Sequence, residues 1–228
     1  MCVWVCAHTR SRARRLYARI SARGAGTGAR LRMSARRLDA LLGDIRACTL
    51  CAAHLPLGPN PVLRAGTNAR ILIVGQAPGT RVHATGIPWN DASGKRLRDW
   101  LQMSPEDFYD TRRIAIVPMG FCYPGKQGSG DAPPRPECSA TWHPRLLPLL
   151  PKVRLTLLFG QYAQAYFLGK RRKTSLTDTV RAWREYAPEF LPLPHPSPRN
   201  IGWFRANPWL EAEVVPELRA RIRAALKA

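Results

Sequence analysis

The sequence predicts an α/β protein, a three-layer α/β/α arrangement around a short four-stranded parallel sheet. Three observations predict it. Short continuous apolar runs, such as Ile71-Leu72-Ile73-Val74, read as strands buried on both faces. Segments with helical apolar spacing alternate with these runs, the pattern of a parallel sheet covered by helices. With 21 Pro and 17 Gly, the chain is too often broken for an all-helical bundle.

The elements follow in order. Ser34 is placed to N-cap a helix running to about Cys48, with Leu38, Leu41, Leu42 and Ile45 on one face. Residues 52–69 are broken by Pro and Gly and read as loop. Ile71–Val74 is the first strand, stopped by Gly75-Gln76-Ala77-Pro78-Gly79. A helix is expected over Ser93–Met103, with Leu97, Trp100 and Leu101 inward. Ile114–Val117 is the second strand. The stretch 118–136 is a long Gly/Pro loop, and a loop of that length in a compact domain is usually functional. A helix from about Glu137 to Leu150 leads to the third strand, Leu155–Phe159. Gln161–Leu168 is a short helix, and another is expected near Ser175–Tyr186. Phe190–Leu193 is the fourth strand, and Asn207 is placed to cap a last amphipathic helix. Ligands of such folds bind beyond the carboxyl ends of the strands. The loops after the first, second and fourth strands all leave from those ends, so they should converge on one crevice.

Charge narrows the class of partner. The chain has 228 residues, with 36 Lys plus Arg against 15 Asp plus Glu, a net charge of +21. That balance predicts a polyanionic partner, most simply nucleic acid. No apolar run is long enough for a membrane-spanning helix. Ten of the Arg fall in residues 1–37, which hold no acid, and the remainder is still basic. Residues 1–33 are therefore read as an Arg-rich, disordered extension carrying no chemistry, with Cys2 and Cys6 in it. A targeting peptide, a nucleic-acid-binding arm or an upstream extension ahead of Met33 all fit that composition. Residues 34–228 form the expected domain.

Two loops carry the candidate chemistry. In Gly75-Gln76-Ala77-Pro78-Gly79 the glycines let backbone approach a ligand closely, and Pro78 stiffens the turn. Gly86-Ile87-Pro88-Trp89-Asn90-Asp91-Ala92-Ser93-Gly94 then opens a helix. Trp89 there is either a stacking platform or core, and Asp91 is either a functional carboxylate or an N-cap. Neither a dinucleotide fingerprint nor a phosphate-loop Lys-Ser/Thr pair is present. The fourth strand runs into His195-Pro196-Ser197-Pro198-Arg199-Asn200.

Together these stretches resemble the uracil-DNA glycosylase superfamily, from roughly Leu38 to the C-terminus. The first turn looks like that of the iron–sulfur families 4 and 5. The Asp-Ala-Ser-Gly at 91–94 looks like family 5, and the His195–Asn200 motif resembles family 5 and the single-strand-selective enzymes. The resemblance implies a monofunctional DNA glycosylase that flips uracil from DNA and hydrolyses its N-glycosidic bond. In the superfamily's best-known branch an Asp follows the motif Gln. Ala77 stands there, so the resemblance passes the water-orienting carboxylate to Asp91. His195 would donate to O2 of the leaving base as a neutral imidazole. Gln76, Ala77 and Trp89 would meet the base. Pro78, Gly79, Ser197, Arg199, Asn200 and Trp203 would meet the DNA, with Trp203-Phe204-Arg205 where the family inserts a wedge. Pro118 stands where families 1 and 4 carry an edge-reading Asn, so weaker discrimination is expected, extending to hypoxanthine. No Lys falls in the motifs, so no lyase step is expected.

Four cysteines form a second constellation: Cys48 and Cys51 in a Cys-x-x-Cys at a helix end, Cys122 and Cys138 flanking the long loop. Four thiolates suit zinc or a [4Fe–4S] cluster, and the ligands alone do not decide. No secretory signal supports disulfides. A thioredoxin-like motif would follow a strand, and this one does not. The resemblance implies a structural [4Fe–4S] cluster held by these four residues. The expected partner is DNA containing uracil or another damaged base, and the expected state is a monomer in a bacterial cytoplasm, on the nucleoid. Two other readings stay open: a non-catalytic nucleic-acid-binding module on the same fold, and a redox- or metal-sensing DNA-binding protein.

Overall fold

The computed structural model describes residues 28–227, and side chains from residue 32. The central sheet has four parallel strands, β1 (Ile71–Val74), β2 (Ile114–Ile116), β3 (Leu155–Phe159) and β4 (Phe190–Leu193), in the order β2-β1-β3-β4. Every residue of these strands is buried, as continuous apolar runs between two helical layers require. Register is set by Ile71 opposite both Ile114 and Leu155, and by Thr156 opposite Phe190. Pro192 lacks an N–H, and its strand sits at the sheet edge, where that lack is tolerated.

Alternation along the strands divides the core in two. Leu72 and Val74 join Leu38, Leu41, Leu42 and Ile45 of helix α1 (Gly28–Arg46), with Trp142, Leu146 and Phe167 from two later helices. Ile71 and Ile73 face Leu97 and Trp100, with Leu210, Leu218 and Ile222 from the C-terminal region. Each fully buried Leu or Ile contributes about 1.5–3 kcal/mol relative to exposure. The two clusters on opposite faces make the expected three layers.

Several boundaries differ from expectation. α1 opens at Gly28, so Ser34 lies inside it and is not its N-cap. The preceding Ala29, Arg30 and Leu31 are strong helix formers and carry the helix back. Residues 1–27, with Cys2 and Cys6, lie outside the described residues. Two short helices go beyond the sequence reading, α2 (Thr80–Thr85) and α4 (Pro105–Tyr109), on either side of α3 (Ala92–Leu101). The 118–136 loop holds a small antiparallel ribbon pairing Lys126 with Asp131 and Gln127 with Gly130. The expected Glu137–Leu150 helix is α5 (Pro136–Leu146) followed by a 3-10 turn at Leu147–Leu149. α6 is Gly160–Leu168. The Ser175–Tyr186 segment divides into α7 (Leu176–Arg181), capped by the Ser175 hydroxyl, and a 3-10 turn at Trp183–Tyr186. Asn207 does not cap the last helix: its amide donates to Trp203 O and its oxygen accepts from the Trp209 indole. A π-helical turn at Leu210–Val214 leads into that helix, α9 (Val215–Lys227), after the short α8 (Ile201–Ala206).

Candidate active site

The loops after β1, β2 and β4 do converge. One cleft is lined by Gly75 to Gly79, Trp89, Asp91, Pro118 and His195, with an apolar wall of Val62, Val82, Pro88 and Ile116. The strand ladder extends into it as backbone: Val117 N–H donates to Ile73 O, Met119 N–H to Gly75 O and Gly120 N–H to Gln76 O. The floor is therefore rigid where the first turn meets the long loop.

Trp89 is the most constrained residue in the cleft. Its φ is +58°, a left-handed conformation that costs a bulky L-residue about 1–2 kcal/mol. Its ring stacks on His195 with centroids 5.2 Å apart and planes at 22°, and meets Phe159 edge-on at 5.5 Å. Two glycines make room for it. A Cβ on Gly75 would stand 3.2 Å from the indole, and one on Gly94 would stand 1.7 Å from the Trp89 carbonyl oxygen. The Arg98 guanidinium donates to that carbonyl, and the Tyr109 hydroxyl donates to Pro88 O at 2.9 Å. The sequence held no sign of Arg98 and Tyr109 as supports, because they act from helices around the loop rather than from the motif.

Asp91 combines the two roles read from its position. Its Oδ1 accepts the Gly94 N–H at 2.8 Å, capping α3, and the residue also lines the cleft. Among the described residues no hydrogen bond reaches Oδ2, so the cap fixes the carboxylate and leaves one oxygen free. His195 follows β4. Among the described residues neither ring nitrogen is hydrogen-bonded, and part of its surface opens to the cleft. Burial lowers its pKa below the ordinary value of 6.5, against the opposing pull of Asp91 and Asp131. A neutral imidazole is the result.

The remaining predicted residues separate into cleft and flank. Gln76 lines the cleft, but its Nε2 donates to Ala132 O at 2.9 Å, tying the long loop to the first turn. Ala77, Pro78 and Gly79 complete that turn, and Gly79 precedes α2. A Cβ on Gly79 would lie 3.6 Å from Asp131 Oδ2, which puts this ribbon carboxylate beside the turn; sequence reading did not single it out. Ser197 is held locally, accepting the Arg199 N–H, and Asn200 donates to His195 O at 2.8 Å. Arg199 is exposed. Trp203 is half-buried and tied down: its indole N–H donates to Thr177 Oγ1 at 2.9 Å, and its ring packs against Phe204 and Trp209. The exposed apolar side chain beside the motif is Ile201, 46% accessible.

Under the cleft floor lies His143, fully buried and missed by the sequence reading. Its Nε2 bonds Pro118 O at 3.0 Å, and among the described residues its Nδ1 has no hydrogen-bond partner. Burial lowers its pKa to about 4.

Cys48, Cys51, Cys122 and Cys138 line a second, smaller cavity with Gly120, Phe121, Arg135 and Trp142. None of the four is joined in a disulfide. The Phe121 N–H points at the Cys138 sulfur at 3.3 Å, and the Asn60 backbone and the Arg135 guanidinium favour thiolate at Cys122 and Cys51. Burial outweighs these contacts, raising the pKa of Cys51 and Cys122 and pushing that of Cys138 up to about 12. Among the described residues no three His, Cys, Asp or Glu side chains are grouped to hold a single metal ion.

Among the described residues no helix is long and apolar enough to cross a membrane. The sequence profile of the Uracil DNA glycosylase superfamily matches residues 64–219, from the approach to β1 into α9. That span takes in the whole sheet and every residue of the cleft except Val62, and with more than half of the sequence matched the chain belongs to this superfamily.

Proposed function

We propose that this protein is a monofunctional DNA glycosylase, closest to family 5, that excises uracil and other deaminated bases such as hypoxanthine. The observation that carries the reading is the meeting of Asp91 and His195 in one cleft at the strand ends. The bond to be broken joins the base to C1′ of the sugar, and its cleavage builds positive charge on the sugar and negative charge on the base. The free Oδ2 of Asp91 orients water and stabilises the sugar cation. The neutral imidazole of His195 donates to O2 of the departing base, where a preorganised donor is most effective. Trp89 stacks on the flipped base, held by its own strained backbone and its anchors. Ala77 and Pro118 offer the base edge no side-chain donor or acceptor, which supports relaxed specificity. Gln76 acts mainly as the tie to Ala132 O, leaving its carbonyl oxygen for the base or the water.

The DNA partner is engaged by the Pro78-Gly79 turn and by Ser197 and Arg199, with Asn200 bracing the His195 loop. Because Trp203 is bound to Thr177, the wedge that fills the gap left by the flipped base is Ile201. A [4Fe–4S] cluster would be held by Cys48, Cys51, Cys122 and Cys138. The preference for a cluster over one zinc ion rests on the family 5 resemblance, and the four cysteines lining one cavity with N–H donors at its wall support a sulfur-ligated group there. When bound, it would supply a cross-link between the end of α1 and the long loop. Purified protein with a broad absorption near the visible range and about four iron per chain is expected; a colourless protein with one zinc overturns that assignment. A monomer acting on the bacterial nucleoid completes the reading.

Alkaline cleavage of end-labelled oligonucleotides carrying uracil, hypoxanthine or only normal bases is the test, with Asp91→Asn beside the wild type. Scission at the damaged base, falling by a factor of at least about 100 in the variant, is expected for a lost charge-stabilising group. Tight binding with no scission by either protein replaces this reading with the non-catalytic binding module.

A further inference from the structure

We propose that the open groove between Arg172 and Arg181 is a second phosphodiester-binding track, holding DNA that has left the cleft past the His195–Asn200 loop. The inference rests on the DNA-glycosylase reading above. The groove is lined by Arg172, Lys173, Thr174, Asp178, Arg181 and Ala182. The groove is shallow and open to solvent, which suits an extended backbone lying on the surface rather than an enclosed small molecule.

Two of its three cations are free to meet phosphates, and the third is paired. Lys173 is bridged to Glu185 at 2.6 Å. Arg172 and Arg181 are exposed, and among the described residues neither has an ion-pair partner. The one acid in the groove, Asp178, already accepts the Ser175 hydroxyl at 2.6 Å. Arg181 is preorganised, its guanidinium lying 4.7 Å over the Trp209 ring. An arginine stacked in this way loses little freedom on taking a phosphate.

Contacts also connect the groove to the motif. Trp203, three residues beyond Asn200, donates to Thr177 of α7 and packs on Trp209 at 5.9 Å, and Trp209 carries Arg181. Arg205, on the intervening α8, is exposed as well. A basic groove beside half-exposed aromatic rings is the usual composition of a nucleic-acid track.

The test is the salt dependence of binding to an undamaged duplex of about 30 base pairs, about 100 Å long at about 3.4 Å per pair. The proteins are wild type, Arg172→Glu/Arg181→Glu, the milder Arg172→Gln/Arg181→Gln, and Arg112→Glu as a charge control remote from the groove in sequence. Each phosphate contact adds about 0.9 to the slope of log affinity against log salt. Loss of two contacts lowers the slope by about 1.8, so between 50 and 200 mM salt the wild type loses about 12-fold more affinity than the variant. The Gln variant is expected to differ from the wild type in the same direction. A slope equal to that of the control overturns the track. A wild type that excises no base while the double variant still shows the lowered slope would instead strike the catalytic reading and leave the track standing.

Discussion

Replacing Gly94 with alanine tests whether the backbone around Trp89 is as tightly closed as the geometry requires. In an ordinary helix interior this change stabilises by about 1 kcal/mol, because glycine is the poorer helix former. Here the sign reverses. The new Cβ would fall 1.7 Å from the Trp89 carbonyl oxygen and 2.6 Å from its carbon, both backbone atoms that no rotamer change can move. Relief requires separating the 87–91 loop from α3 by more than an ångström. That breaks the Asp91 cap on the Gly94 N–H, worth about 1 kcal/mol. Overpacking adds about 1–3 kcal/mol. After the propensity gain, the net loss is about 1–3 kcal/mol, which lowers the melting temperature of a chain this size by about 2–12 °C. Gly202→Ala is the control, also helical but with nothing within 4 Å of the added carbon, and it should be neutral or stabilising. Thermal unfolding and single-turnover excision of both variants are the assays. Excision should fall in Gly94→Ala, because Trp89 and Asp91 move together. A Gly94→Ala protein that melts at or above the wild type and excises at full rate refutes the close approach and the constraint on Trp89 built from it.

Further expectations follow from the same geometry. His143 is neutral and fully buried, and its folded pKa of about 4 lies below the ordinary 6.5. The unfolded chain therefore binds more protons between these values, and stability falls as pH drops through that window, by about 3 kcal/mol in all. Urea midpoints of wild type and His143→Phe at pH 7 and 4.5 should converge on acidification, and a constant difference between the two proteins would refute the buried titration. Ile201→Ala removes an exposed side chain, so stability should change by no more than about 0.5 kcal/mol. Excision from paired duplex should slow by about tenfold while single-stranded substrate is cut at the wild-type rate, because only the duplex needs a wedge. Equal rates on duplex for variant and wild type would return the wedge to another residue.

Much of the architecture is legible in the residues alone. All four strands were readable because a strand buried on both faces is almost wholly apolar, Thr156 being the one polar side chain among them, and runs such as Ile71–Val74 read only as strand. The crevice followed from topology, since loops leaving parallel strands at one end have to meet. The superfamily was readable from its two loops for the same reason: their spacing survives in the sequence as contiguous motifs. Helix ends were less legible. Ser34 and Asn207 are good caps by type, but a cap acts only where the helix begins, and neighbouring residues and tertiary contacts moved both beginnings.

What only the tertiary structure decided is the partner of each polar or aromatic side chain. Gln76 binds Ala132, 56 positions away; His143 holds Pro118, 25 positions away; Trp203 turns to Thr177, 26 positions away. None of these pairings has a local signature, since each is selected by which groups burial leaves unsatisfied once the layers close. The stack of Trp89 on His195 belongs with them. It needs a left-handed backbone, two glycines without side chains and three separate elements in register, and a sequence records each of those conditions without showing that they meet.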